Sequence, residues 1–472
     1  MSLMDLTLAD AAAGVQSGAF TSRALTEAAL ERIEARNPAL NAVIRVEAET
    51  ALAGADAVDC TRAAGGEIGP LGGVPLAHKD MFYRVGGLTT CGSKIRRDFR
   101  PDYTATVLER LGASGAVYLG GLNMAEFAFG PTGHNEHFGN CRNPWNTDHV
   151  TGGSSSGSGS ATAARMTFGA LGSDTGGSIR LPAALCGLVG LKPTQTRVSR
   201  YGVMGLSFSL DTVGPLTRTV LDNALMLQAV AGEDANDPTA SRRVPEDYAA
   251  AARAPNARSL RIGVARGYFE KHGDEASLAE RDAALAAFKG IGAELVEVDV
   301  GDMTQINTFA AAVMGPEAAT LHAGWLRDQP DDYGQQMRAR CEIGFQFSGV
   351  DYLSALQLRP KIVADFCNRV FSQCDVLLAP TFNIQTPRID ETDIGSGQGF
   401  ERVVASLSRC TRPLNFLTLP GLALPTPGLV EGMPASIQLS APPFGEAQLY
   451  RLAAAYEAEV QYHKRMPPMS GS

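Results

Sequence analysis

A chain of 472 residues, 44% hydrophobic and 19% charged, has the composition of a folded globular protein, and no stretch joins low hydrophobicity to high charge as disordered segments do. A formal charge of −9 and a pI near 5.4 remove the global electrostatic case for nucleic-acid binding. No run approaches the ~20 apolar residues that cross a bilayer, and "MSLMDLTLAD" carries acids where a secretory leader needs a basic region. These features predict a cytoplasmic protein that binds neither nucleic acid nor membrane.

In chain order, Thr7 caps a helix that ends near Gly18, and Thr21 or Ser22 caps a second that stops at Asn37 and Pro38. A third helix covers Glu47 to about Ala64. "GVPLAHKD" then reads as a short buried strand that delivers Lys79. From Thr104 a helix, "TATVLERLGASG", leads into a strand, "AVYLGG", and "LRIGVARG" near 260 opens another strand and helix unit, with its helix over 282–289 and its next strand in "AELVEVDV". Later strands are "CDVLLAP" and "GLALPTPG", the latter partnered by "PASIQLSAP", and a helix in "EAQLYRLAAAYEAEVQYH" closes the chain. The pattern is α/β without strand order. The helical stretch over 303–364 is read either as packing helices or as a cap or pocket wall. No repeat or linker divides the chain, so residues 1–472 are expected to form one domain with a core at about 70–220.

The eight cysteines show no CxxC pair and read as small apolar residues. His134 and His137 sit three apart among Gly and Pro breakers, an incomplete ligand set, so no metal site is predicted.

"TGGSSSGSGS", Thr151 to Ser160, has a linker's composition, yet small-residue helix and strand patterns follow it directly. A phosphate cradle is poorly served, because no Lys or Arg occurs between Thr151 and Ala164. The third reading is a serine nucleophile site, which needs a base within hydrogen-bond reach and donors aimed at an oxyanion. "GSDTGGSIR" supplies a second turn, whose glycines let backbone N–H groups approach a substrate.

"GVPLAHKD", "LGGLNMAEFAFG", "GNCRNPWN", "GGSSSGSGSA", "GSDTGGSIRLPAALCGLVGLKP" and "SLDTVGPLTRTVLDNALML" occur in the order of the amidase signature family, which this sequence resembles over nearly its whole length. The resemblance implies an α/β/α sandwich around a large twisted mixed sheet. It also implies a catalytic Ser178, a Ser154 that follows a cis peptide bond and relays protons, and Lys79 as the base. Backbone N–H groups of Thr175, Gly176, Gly177 and Ser178 would form the oxyanion hole. Gly153 and Ser155 would support the loop, with Asp174 and Arg180 as a structural pair. The implied activity is hydrolysis of a carboxylic amide to an acid and ammonia or an amine, through an acyl-enzyme and without metal or organic cofactor. Family analogy extends to a homodimer acting on a small-molecule amide.

Phe129 and Leu181 are expected at the acyl pocket. Leu181 stands where members acting on malonamate-like acids carry arginine and glutaminase subunits commonly carry glutamine, which predicts an uncharged acyl group. Gln195 and Thr196 replace the family's more usual residues in "KPTQTRVSRYG". The alternative to a lone amidase is the glutaminase (A) subunit of a tRNA-dependent amidotransferase, with partner subunits that take the ammonia. A catalytically silent scaffold is the remoter alternative, and retention of Lys79, Ser154 and Ser178 argues against it.

Overall fold

The computed structural model describes residues 2–393, 395 and 400–468. A small sheet combines β1 (Val43–Val46), β2 (Pro75–Lys79) and β3 (Val117–Leu122) in the order β1-β3-β2, with β1 antiparallel and β2 parallel to β3. The large sheet has eight strands: β4 (Gly169–Asp174), β5 (Val189–Lys192), β6 (Thr212–Thr217), β7 (Arg261–Ala265), β8 (Glu294–Val298), β9 (Val376–Phe382), β10 (Gly421–Val430) and β11 (Met433–Ser440). Their order is β4-β6-β5-β10-β11-β9-β7-β8. The β9-β7-β8 end is parallel and the other pairings are antiparallel, giving a mixed sheet flanked by helices.

Local chemistry accounts for these connections. The helix Glu275–Gly290 carries the chain between parallel β7 and β8, the crossover that parallel neighbours require. Between antiparallel β10 and β11 only Glu431 and Gly432 intervene, with φ of 49° and 79°, the pair of positive values a two-residue hairpin turn demands.

The Gly/Ser-rich stretch becomes the helix Ser156–Ala163, in which every residue is buried. Its small side chains permit close packing: a Cβ at Gly157 would meet the Ala42 carbonyl oxygen at 2.3 Å. A linker reading is therefore excluded by burial alone.

Two helix boundaries differ from expectation. The second helix runs Ser22–Leu40 through Pro38, because a proline near the end forfeits one backbone bond while Asn37 Oδ1 accepts from the N–H groups of Ala42 and Val43 just beyond it. The helix expected over 282–289 starts at Glu275, where the Asp274 side chain caps it by accepting from Ser277 N. The stretch 303–364 folds as helices Met303–Asp328, Gln335–Gly344 and Gly349–Phe371, the last running past 364. Among the described residues no helix is long and apolar enough to cross a membrane.

Candidate active site

Lys79 ends β2, a strand whose five residues are all buried. Alternation along the strand sends neighbouring side chains to opposite faces. His78 Nδ1 accepts from Leu171 N at 3.0 Å and ties the small sheet to β4, and burial lowers its pKa to about 3, so it stays a neutral acceptor. Lys79, 1% exposed, donates from Nζ to Ser154 Oγ at 2.7 Å and to Ser173 Oγ at 2.8 Å. Burial lowers its pKa to about 7 against the opposing pull of Asp211 and Asp174. A large fraction of neutral amine is thus present near neutral pH, able to take a proton from Ser154.

Ser154 follows a cis Gly153–Ser154 peptide bond. Glycine is required before it, since a Cβ at Gly153 would meet the Gly130 carbonyl oxygen at 2.4 Å. The Gly153 N–H donates to Pro131 O at 2.7 Å. Ser155 Oγ donates to Ser173 O at 3.3 Å, and its N–H donates to Ser178 O at 3.3 Å, so it braces both turns.

The second turn is built on Asp174, the last residue of β4. Its carboxylate pairs with Arg180 at 3.1 Å with both side chains fully buried, and it accepts from Asn415 Nδ2 at 2.8 Å. Burial by itself would raise the Asp174 pKa, but the charge and hydrogen bonds of Arg180, with Lys192 and Asn415, bring it down to about 2. Arg180 in turn reaches Gln438 Oε1 at 2.8 Å and Asn415 Oδ1 at 2.7 Å. The pair therefore holds the turn to β11 and the neighbouring helix.

Gly177 differs from its expected role as an oxyanion donor, because its N–H is taken by Asp174 Oδ1 at 2.7 Å. The N–H groups of Gly176 and Ser178 have no partner among the described residues. Thr175 Oγ1 is tied to Asp211 Oδ1 at 2.5 Å, which fixes the start of the turn. Ser178 is 9% exposed and its Oγ has no side-chain hydrogen bond among the described residues. Lys79 and Ser154 are thus joined in this structure, whereas Ser154 and Ser178 are not.

Ser178 lines a narrow cavity of about 30 Å³ together with Phe129, Thr175, Gly176 and Leu181. Two lining residues were invisible in the motifs: Arg340, from the helix Gln335–Gly344, and Arg412, at the start of the helix Arg412–Phe416. Leu181 lines this cavity, and the two arginine side chains reach it from elements far along the chain. Ser173 and Asp211 were also missed, although both lie inside quoted motifs, in "GSDTGG" and "SLDTVGP". His134 and His137 turn to Thr392 Oγ1 at 2.8 Å and Glu126 Oε1 at 3.0 Å respectively.

The Amidase family model matches residues 24–450. The glutamyl-tRNA(Gln) amidotransferase A subunit of Halorhodospira halophila is 40% identical, over 98% of each chain. A solved structure described as "An unexpected vestigial protein complex reveals the evolutionary origins of an s-triazine catabolic enzyme" is 36% identical, with a TM-score of 0.89 over 96% of this chain and 98% of that one. The native peptide amidase from Stenotrophomonas maltophilia is 29% identical, with a TM-score of 0.85 over 98% and 99% of the two chains. These relatives correct the expectation of a lone small-molecule amidase, or a homodimer, unconnected with nucleic acid: the first is named as one component of an assembly that is itself named for a tRNA. A family match over nearly the whole chain, a mixed eight-stranded sheet shared with amidases and relatives acting on amide C–N bonds make this chain an amidohydrolase that belongs to the amidase signature family.

Proposed function

We propose that this chain is the amide-hydrolysing A-type component of a cytoplasmic assembly, which releases ammonia from a primary amide and passes it to a partner chain, as a tRNA-dependent amidotransferase requires. The likeness to amidotransferase A subunits over the full length supports the assembly. The observation that carries the chemistry is the buried Lys79 amine, near half-neutral at pH 7 and 2.7 Å from Ser154 Oγ.

In the proposed reaction, Ser178 Oγ bonds to the amide carbonyl carbon while its proton passes to Ser154 and the Ser154 proton to Lys79. The oxyanion is met by the N–H groups of Gly176 and Ser178, with the Thr175 N–H at the edge of the same turn. Removing one such donor costs ~3 kcal/mol in transition-state stabilisation. Collapse of the intermediate breaks the C–N bond as the relay returns a proton to nitrogen, and ammonia leaves. Water then attacks the acyl carbon by the same route, giving the acid and free Ser178. Rotation of the Ser178 side chain toward Ser154 completes the relay when substrate enters.

The reading is tested by labelling with a fluorophosphonate and by affinity purification from the native host. Labelling at Ser178, its loss in Ser178→Ala, and copurification of partner chains that stimulate ammonia release support it. An unlabelled Ser178 contradicts the acyl-enzyme, and full activity of the purified chain with no partner contradicts the assembly.

A further inference from the structure

Asp211 stands just before β6, and the register that pairs Asp174 of β4 with Thr212 brings it level with Thr175. Its buried carboxylate is divided between two pieces of the centre. Oδ1 accepts from Thr175 Oγ1 at 2.5 Å, at the start of the proposed oxyanion turn, and Oδ2 accepts from the N–H groups of Leu206 and Ser207 at 2.8 and 3.0 Å. Leu206 lines the cavity beside Ser178, so one carboxylate fixes the turn relative to a wall of that cavity. Backbone N–H groups can only donate, a setting that suits the ionised carboxylate. Burial raises the Asp211 pKa, and the bonds from Thr175, Leu206 and Ser207 act against that, with the charge of Arg200.

The loop that Asp211 holds is clamped by a second carboxylate. Glu317, buried on the helix Met303–Asp328, accepts from Ser207 Oγ and Ser209 Oγ, from Ser209 N at 3.0 Å and from Tyr352 Oη at 3.0 Å. Asp211 therefore meets fixed donors. Its charge also lies toward the base: Asp211 and Ser173, the second partner of Lys79 Nζ, border one cavity of about 230 Å³. Burial lowers the Lys79 pKa, and Asp211 is the first charge to oppose it, ahead of Asp174 and the Cys91 thiol. Asp174 is matched by Arg180, and Asp80, next to Lys79 in the chain, by Arg45. Asp211 makes no such ion pair among the described residues, so its field is not cancelled at close range.

We propose that Asp211 is a positioning residue of the hydrolytic centre, which holds the turn of Thr175 to Ser178 against the Leu206 wall and sets its negative charge against the amine of Lys79. The proposal rests on the acyl-Ser178 reading and names the group that couples the base of that reading to its oxyanion donors. Loss of the Thr175 bond frees the first residue of the turn, and an error of about 1 Å in placement costs ~100-fold in rate. Loss of the charge leaves burial less opposed, so protonated Lys79 becomes still less favourable and its pKa falls. The two effects are separable, because Thr175 carries the first and the carboxylate charge carries the second.

The test uses the full-length chain, with the titration of Lys79 followed by NMR of isotope-labelled lysine Cε and the rate of Ser178 labelling measured with a fluorophosphonate. Asp211→Asn should lower the Lys79 midpoint by roughly one pH unit and slow labelling ~100-fold. Thr175→Val, which keeps the carboxylate, should slow labelling to a similar extent with the midpoint in place, and Thr175→Ser should restore most of the rate. Glu317→Gln removes a buried carboxylate from the same loop and should leave the Lys79 midpoint where it is. If Asp211→Asn does not fold, the two Thr175 variants decide the matter by themselves. An unmoved midpoint in folded Asp211→Asn overturns the proposal, as does undiminished labelling in Thr175→Val or a Thr175→Ser as slow as Thr175→Val. Movement of the midpoint in Asp211→Asn, when Ser178 of the unaltered chain is never labelled, upholds the action of Asp211 on the amine and instead defeats the acyl-Ser178 reading.

Discussion

Lys79 Nζ and Ser154 Oγ meet at 2.7 Å inside the protein, although 75 residues separate them in the chain. The contact joins a strand of the small sheet to the loop before a fully buried helix, so the proposed base and the proposed relay are carried by different elements. Its electrostatic setting makes the proposed chemistry sensitive to pH.

The rate of Ser178 acylation should rise about tenfold per pH unit below the Lys79 pKa of about 7 and level off above it. In the proposed relay the active base is the neutral amine, and the lowered pKa places its loss of a proton within the physiological range. Stopped-flow acylation across pH 5–9 measures this, and a flat profile would remove Lys79 from the relay. Lys79→Ala should lose nearly all acylation at every pH.

Ser173→Ala should lower kcat about tenfold and move the rising limb of the pH profile to lower pH. The hydroxyl accepts a hydrogen bond from the charged amine at 2.8 Å, so its loss disfavours protonated Lys79 further. A fall in kcat with no movement of the limb would indicate damage to packing alone.

Asp174→Asn should destabilise the fold by ~3–5 kcal/mol, the typical cost of leaving a buried ionic partner uncompensated, here Arg180. The folded pKa is depressed to about 2, so the carboxylate's contribution is fully present above the unfolded value near ~3.9 and disappears as pH falls toward 2. Urea titrations at pH 7 and pH 3 check both claims: the difference between parent and variant should shrink at the lower pH.

Gly153→Ala should abolish activity and cost ~1–3 kcal/mol, because the new methyl group meets the Gly130 carbonyl oxygen at 2.4 Å and must push the Ser154 loop away from Lys79. Thermal unfolding and fluorophosphonate labelling together report the two effects. Normal labelling in a folded variant would show that the loop tolerates the displacement.

The sequence alone carried the motif turns around Lys79, Ser154 and Ser178, the α/β alternation, and the capping of the first helices by Thr7 and Thr21. Those features depend on neighbours a few residues away, where glycine, serine and apolar spacing leave a direct imprint. Tertiary structure alone decided how the turns are used. Asp174 takes the Gly177 N–H, which the motif alone assigns to an expected oxyanion set, a choice made by Arg180 and Asn415 holding the carboxylate in place. The full lining of the cavity beside Ser178 was likewise beyond local reading: Leu181 sits in the motif, but Arg340 and Arg412 arrive on helices more than 150 residues further along the chain. A guanidinium has no periodicity that reveals which cavity it will enter. Only the packing of those helices against the turn, through Phe129 and Gly176, places two cations beside Ser178.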